Sequence, residues 1–137
     1  MIYLLDSNVF MHLANGAKGA EKIEARIVAI GIASCIINPV IAAELRHKVE
    51  TGAGRVKKDA LLLLSQMLAA ARCVPLDCAA GQEGGLIFAE RALKGLSIAM
   101  PDALIAGHAR HAGLILVSDN QKHFAGIAWL KLENWRV

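Results

Sequence analysis

Leu114-Ile-Leu-Val117, an apolar run held between Gly113 and Ser118-Asp119-Asn120, is the stretch that most restricts how this chain can fold. A run with no polar residue to face water reads as a strand buried on both sides, as in a parallel sheet covered by helices. The segment before it, Pro101 to Gly113, has the marks of a helix. Proline fits the first position, where a missing N–H costs nothing; Asp102 follows, where the helix dipole favours a carboxylate, and a glycine ends the element. Asp102 and Asp119 are therefore expected at the ends of neighbouring elements. In open α/β sheets ligands bind beyond the carboxyl ends of strands, so acids placed there point to chemistry.

The remaining chain repeats this plan. Ile2 to Leu5 reads as a short strand that ends at Asp6-Ser7-Asn8, and Val9 to Ala14 as a short helix. Asp6 is thus a second acid at a strand exit, where capping the helix and serving a site are both open. Glu21 to Ile30 has helical spacing, Ser34 to Ile37 forms the next buried strand, and Asn38-Pro39 starts a helix with favoured cap and first-turn residues. Glu44 lies about a turn and a half into it and leans back toward the same sheet edge. Ala60 to Ala71, apolar almost all round, is expected to be a helix buried on more than one side. Cys73 to Leu76 reads as a brief edge strand and Cys78 to Lys94 as a helix loosened by Gly81, Gly84 and Gly85, with Glu83 and Glu90 on a wet face. Trp129 to Glu133 alternates as a final strand, and Trp135 covers the end of the core. The order predicts an α/β fold with a mainly parallel sheet flanked by helices.

With 137 residues, 55% of them hydrophobic, the chain suffices for one domain with a real core and not for two. Cys35, Cys73 and Cys78 form no Cys-x-x-Cys pair and read as small buried hydrophobes of a reducing compartment. No basic segment precedes the first apolar residues, and the longest uncharged run, Ile27 to Ala43, is interrupted by Asn38-Pro39, so a cytoplasmic protein without a membrane span is expected. A net charge of +3 is mild. If several acids are sequestered, the rest of the surface is more basic, and polyanions become plausible partners. Arg46, Lys48, Arg55, Lys57 and Lys58 cluster around Thr51-Gly-Ala-Gly54 as a candidate RNA-binding region, or as an ordinary solvated face.

Suppose Asp6, Glu44, Asp102 and Asp119 converge. Carboxylates about 4 Å apart repel by roughly 4 kcal/mol per pair at an effective dielectric near 20, so protons or a cation must enter. Oxygen donors without cysteine or histidine at a strand exit select Mg²⁺, with Mn²⁺ as a substitute, over zinc. Mg²⁺ pairs one or two carboxylates with substrate phosphate, which makes phosphodiester hydrolysis the natural chemistry. Competing motifs are weak. His108 and His111 lack a third ligand, and the chain has no P-loop, dinucleotide fingerprint or serine elbow.

Five segments in register, Leu4 to Asn8, Pro39 to Arg46, Pro101 to Ala109, Gly113 to Asn120 with Phe124, and Leu132 to Trp135, resemble PIN-domain ribonucleases, most closely the VapC toxins of type II toxin–antitoxin pairs. The resemblance spans residues 1–137 as a single PIN domain. It implies a Mg²⁺-dependent endoribonuclease toxin that cuts a structured RNA, tRNA and initiator tRNA being favoured. It also implies inhibition by a VapB-type antitoxin, a homodimer, and contact with operator DNA only through the antitoxin. Asp6 and Asp102 match the family's metal ligands, and Glu44 the acid that supports metal or water. Counted back from Phe124 the family's last acid position falls on Asn120, but Asp119 is taken as the fourth catalytic residue, with Asn120 as an equally spaced candidate in support. Ser118 and Asn8 stand as supporting residues. A PIN fold kept as a catalytically silent RNA- or protein-binding module is the alternative.

Overall fold

The computed structural model describes residues 1–52 and 60–137. Arg55, Lys57 and Lys58, three of the candidate RNA-binding residues, lie outside the described residues. In chain order the elements are β1 (Tyr3–Leu5), α1 (Ser7–Asn15), α2 (Ala20–Ile30), β2 (Cys35–Ile36), α3 (Pro39–Thr51), α4 (Leu61–Ala70), α5 (Cys78–Leu93), α6 (Met100–Ala112), β3 (Ile115–Val117), α7 (Gln121–Phe124) and β4 (Lys131–Glu133). The four strands of the sheet run parallel in the order β2-β1-β3-β4. The chain leaves β1 toward β2 on one side and returns to β3 on the other, so the carboxyl ends of β1 and β3 form the switch point of the sheet.

The apolar strands are buried on both faces, as their sequence requires. Leu4 and Leu116 point into a core with Ile41, Leu45, Ile87, Ala106 and Phe124. Tyr3, Leu5, Ile115 and Val117 point the other way, against Val9, Ile23 and Trp135. Trp135 is 4% exposed, its ring centroid 5.2 Å from that of Tyr3, and it closes this second core as expected.

Several expectations change in three dimensions. Helix α4 buries only Leu64 fully, while Leu62 is 70% exposed, because among the described residues the helix packs on one side, against α1 and α3. Cys73 makes a single bridge to Ile37 instead of a strand, Pro75 having no N–H to continue a ladder. Cys35 is buried, but Cys73 and Cys78 are exposed. The final strand begins at Lys131; Trp129 sits before it, exposed and at φ 64°. Glu83 and Glu90 are not simply solvated, since both hold Arg110, whose Nε lies 2.7 Å from Glu83 and Nη1 3.0 Å from Glu90.

Of the three glycines of α5, Gly84 serves a close helix crossing and Gly85 faces open space. A Cβ on Gly107 of α6 would lie 2.5 Å from Gly84 Cα and would also strike Gly84 N, so the two helices cross backbone to backbone. Backbone cannot swing aside as a side chain does. Gly107→Ala is expected to destabilise the protein by about 1–3 kcal/mol, the range for overpacking, whereas Gly85→Ala, with nothing within 4 Å, should stabilise it slightly. Thermal melts of the two variants check this pair; a Gly107→Ala protein as stable as the parent would contradict the close crossing.

Candidate active site at the sheet switch point

Asp6 follows β1 directly, and its N–H donates to Val117 O at 3.0 Å, which fixes it beside the exit of β3. One carboxylate oxygen accepts from Ser7 N at 2.8 Å as the cap of α1, and the other from Ser118 Oγ at 2.8 Å. Capping the helix and facing the site are therefore one arrangement. Asp6 is 4% exposed. Burial pushes its carboxyl pKa up, the hydrogen bonds from Ser118 and Ser7 pull it down, Asp102 raises it and Lys48 lowers it.

Glu44 arrives on α3, whose start is set by Asn38, its side chain accepting from Ile41 N at 3.0 Å, and by Pro39 in the first turn. Burial raises Glu44 to about 7, and the charges of Asp6 and Asp102 push in the same direction, against Lys48 and a hydrogen bond with Ser7. Its Oε1 is buried without a hydrogen-bond partner among the described residues. Asp102, in the first turn of α6, completes the group; His123 Nδ1 lies 2.8 Å from its Oδ2 and 2.8 Å from the side-chain amide of Asn120. Arg91 secures this end of α7 by donating to the carbonyls of His123 and Ala125 at 3.1 and 2.9 Å.

The fold thus brings Asp6, Glu44 and Asp102 into one another's field, with Ser118 and Asn120 beside them. Asp119 turns away. Its Oδ2 takes His12 Nε2 at 2.8 Å and Arg136 Nη1 at 3.0 Å, on the other side of the β3 exit. Asp119 and Asn120 both line the cavity on that side, and of the two only the Asn120 side chain also reaches His123, the neighbour of Asp102. Asn8, the second residue of α1, lines the cavity next to Asp119.

Lys48, expected on an RNA-facing surface, instead donates to Ser7 Oγ at 3.1 Å and acts on both Asp6 and Glu44. The i,i+4 spacing from Glu44 was the signal for this placement. Arg46 is exposed and pairs with Glu50 at 3.2 Å. His108 is 4% exposed, its Nδ1 accepts from the Asn38 side-chain amide at 3.1 Å, and burial lowers its pKa, so it is a packed histidine.

Among the described residues no three His, Cys, Asp or Glu side chains are arranged as a ready-made metal cage. Mg²⁺ does not need one, because it keeps several waters and takes one or two carboxylates. A donor set of carboxylates and a carboxyl oxygen buried without a partner among the described residues fit a hard cation. No helix of the described residues is long and apolar enough to cross a membrane.

A family model described as the PIN domain matches residues 3–130. Over 59 residues the chain is 42% identical to the tRNA(fMet)-specific endonuclease VapC of Shigella flexneri, covering 43% of this chain and 45% of that protein, so the match spans about half of the relative's length. Ribonuclease VapC2 of Rickettsia felis is 29% identical over 135 residues, 98% of each chain. The crystal structure of VapBC2 from Rickettsia felis, bound to a DNA fragment from their promoter, superposes with a TM-score of 0.82 at 28% identity, covering 98% of this chain and 99% of that one.

Proposed function

The chain belongs to the PIN-domain family, and from that premise we propose that it is a VapC-type endoribonuclease, the toxin of a toxin–antitoxin pair. The observation that carries this reading is the gathering of Asp6, Glu44 and Asp102 at the sheet switch point, with Glu44 driven to about 7 and one of its oxygens buried without a partner among the described residues. Asp6 and Asp102 would hold Mg²⁺ or Mn²⁺, and Glu44 would support it. When bound, such an ion supplies a water of lowered pKa and neutralises charge that builds on the phosphate.

The chain's own groups prepare that chemistry. Ser118 and Ser7 fix both oxygens of Asp6, so its orientation is set before a substrate arrives. Glu44, poised near neutrality, holds or releases a proton at the site. Lys48 offsets part of the negative charge and, with Ser7, limits how far the acids repel an approaching phosphate. His123, with Nδ1 2.8 Å from Asp102 Oδ2, helps hold that carboxylate in place.

A structured RNA is the substrate class we favour, tRNA first, since the Shigella relative is named for initiator tRNA. A VapB-type antitoxin as inhibitor, contact with operator DNA through that antitoxin, a homodimeric state and a cytoplasmic location accompany this reading. Similarity to a VapBC2 assembly over nearly the whole chain supports the antitoxin pairing. Sequencing RNA 5′ ends after incubation of the protein with cellular RNA and Mg²⁺ tests the proposal. New ends at a defined position, lost in EDTA, are expected; no cleavage with either Mg²⁺ or Mn²⁺ would sink it.

Binding should also depend steeply on salt, because phosphate contacts release counterions. In an Asp102→Asn protein that binds without cutting, Arg46→Gln is expected to lower the slope of log affinity against log salt by about 0.7–0.9. Fluorescence titrations at several salt concentrations measure it. An unchanged slope would remove Arg46 from the RNA surface.

A further inference from the structure

Beside the acids, on the Asp119 side of the β3 exit, lies a second polar hollow of about 710 Å³ that the phosphodiester chemistry leaves unused. One wall is a stripe of α1, Asn8, Met11, His12 and Asn15, spaced so that they share a helix face. The facing wall is Asp119 and Asn120, and the C-terminal Arg136 closes the end. The hollow joins the acid cluster at two points. Asn8 is two residues from Asp6, and the Asn120 side chain reaches His123, which holds Asp102.

We propose that this hollow is a nucleotide subsite, which takes the base and ribose of the nucleotide next to the bond that is cut. Its volume lies within the range of small-ligand pockets, about 300–1,000 Å³. The side-chain amide of Asn8 offers a donor and an acceptor and the amide oxygen of Asn120 an acceptor, the groups that read base edges and the ribose 2′-hydroxyl, and Asn15 lines the same wall. Base faces need a flat or polarizable partner. With aromatic residues only 4% of the chain, that role falls to the Met11 thioether and the Arg136 guanidinium plane.

Arg136 is held for this work. Its Nε donates to Lys18 O at 2.6 Å and its Nη1 to Asp119 at 3.0 Å, while the side chain keeps 33% exposure. His12 converges on the same Asp119 oxygen, which explains the 3.3 Å approach of its Nε2 to Arg136. Asp119 is thereby a positioning residue of the subsite, acting through Arg136 and His12, and not a fourth member of the acid cluster.

The placement next to the cleaved bond rests on the nuclease reading, but binding does not, so the two separate in one experiment. The isotope-labelled full-length protein in EDTA is titrated with 5′-AMP, CMP, GMP and UMP, and with inorganic phosphate as control, following the asparagine side-chain amides by NMR. Shifts at Asn8, Asn15 and Asn120 with the nucleotides, stronger for one base and absent with phosphate alone, are expected. Arg136→Met should weaken binding about tenfold, within the cost of losing one stacked base face. Arg136→Lys should not restore it, since an ammonium has no plane. In RNA cleavage, Asp119→Asn should raise KM with little change in kcat, and Asn15→Ala should relax the base preference at the cut.

If Arg136→Met does not fold, as its melt would reveal, Asn15→Ala decides by the same base preference. A protein that cuts RNA but shows no nucleotide shifts at these asparagines, or the same shifts with phosphate, overturns the subsite and leaves the nuclease standing. Nucleotide shifts in a protein that cuts nothing support the subsite and remove only the nuclease.

Discussion

Asp6→Asn is expected to lower the rate of RNA cleavage at least 100-fold while leaving the protein folded. Losing a partner outside a metal's direct ligands already costs about 10–100-fold, and Asp6 is placed to be a ligand itself. Asparagine keeps the shape. Its carbonyl still accepts from Ser7 N, and its amide can donate to the Ser118 hydroxyl, so both anchors of the side chain survive. Burial already disfavours the charged form of Asp6, so the neutral variant should melt no lower than the parent in EDTA. Initial cleavage rates on one RNA, paired with melts, measure both halves. A variant that cuts normally would detach the acid cluster from catalysis, and one that unfolds would make Asp6 chiefly a cap.

The second large effect concerns pH. Glu44 stands at about 7 in the folded, metal-free protein against 4.5 for the ordinary side chain. Below about 7 a proton competes with a cation for the cluster, so Mg²⁺ affinity should fall by up to about tenfold per pH unit, approaching 100-fold between pH 7 and pH 5. Without metal, the raised folded-state pKa means that the folded state holds the extra proton between about 4.5 and about 7. The stability from this group is therefore full at the acid end and is lost as pH rises through about 7. Glu44→Gln should flatten both dependences, raising the melting temperature in EDTA at pH 8 but not at pH 5. Calorimetric Mg²⁺ titrations at pH 5, 6, 7 and 8 test it, and equal affinities across that range would show that Glu44 does not face the ion.

Much of this was legible in the chain. Apolar runs without polar alternation forced strands buried on both faces, and the acids that ended them lay at the edge where such sheets bind ligands. Turn and cap residues, Asp6-Ser7, Asn38-Pro39 and Gly113, marked the boundaries because their preferences are local. The site was harder to read. Lys48 looked like part of a basic face, and only the rotation of α3 against β1 shows that it leans on Ser7. Arg136 carried no signal at all, since nothing near it in sequence predicts a contact with Asp119.

By itself the sequence determined which residues would be buried strands and where carboxylates would stand on them, since both follow from hydropathy and from turn chemistry within a few positions. Tertiary structure decided which carboxylates meet. Asp119 and Asn120 are neighbours with equal claims in one dimension, yet the strand sends one toward Arg136 and His12 and the other toward His123 and Asp102. The same packing set Gly107 against Gly84 and left Leu62 of α4 exposed. Such outcomes depend on side-chain direction and on what lies across a gap from another part of the chain, quantities that spacing along a sequence does not contain.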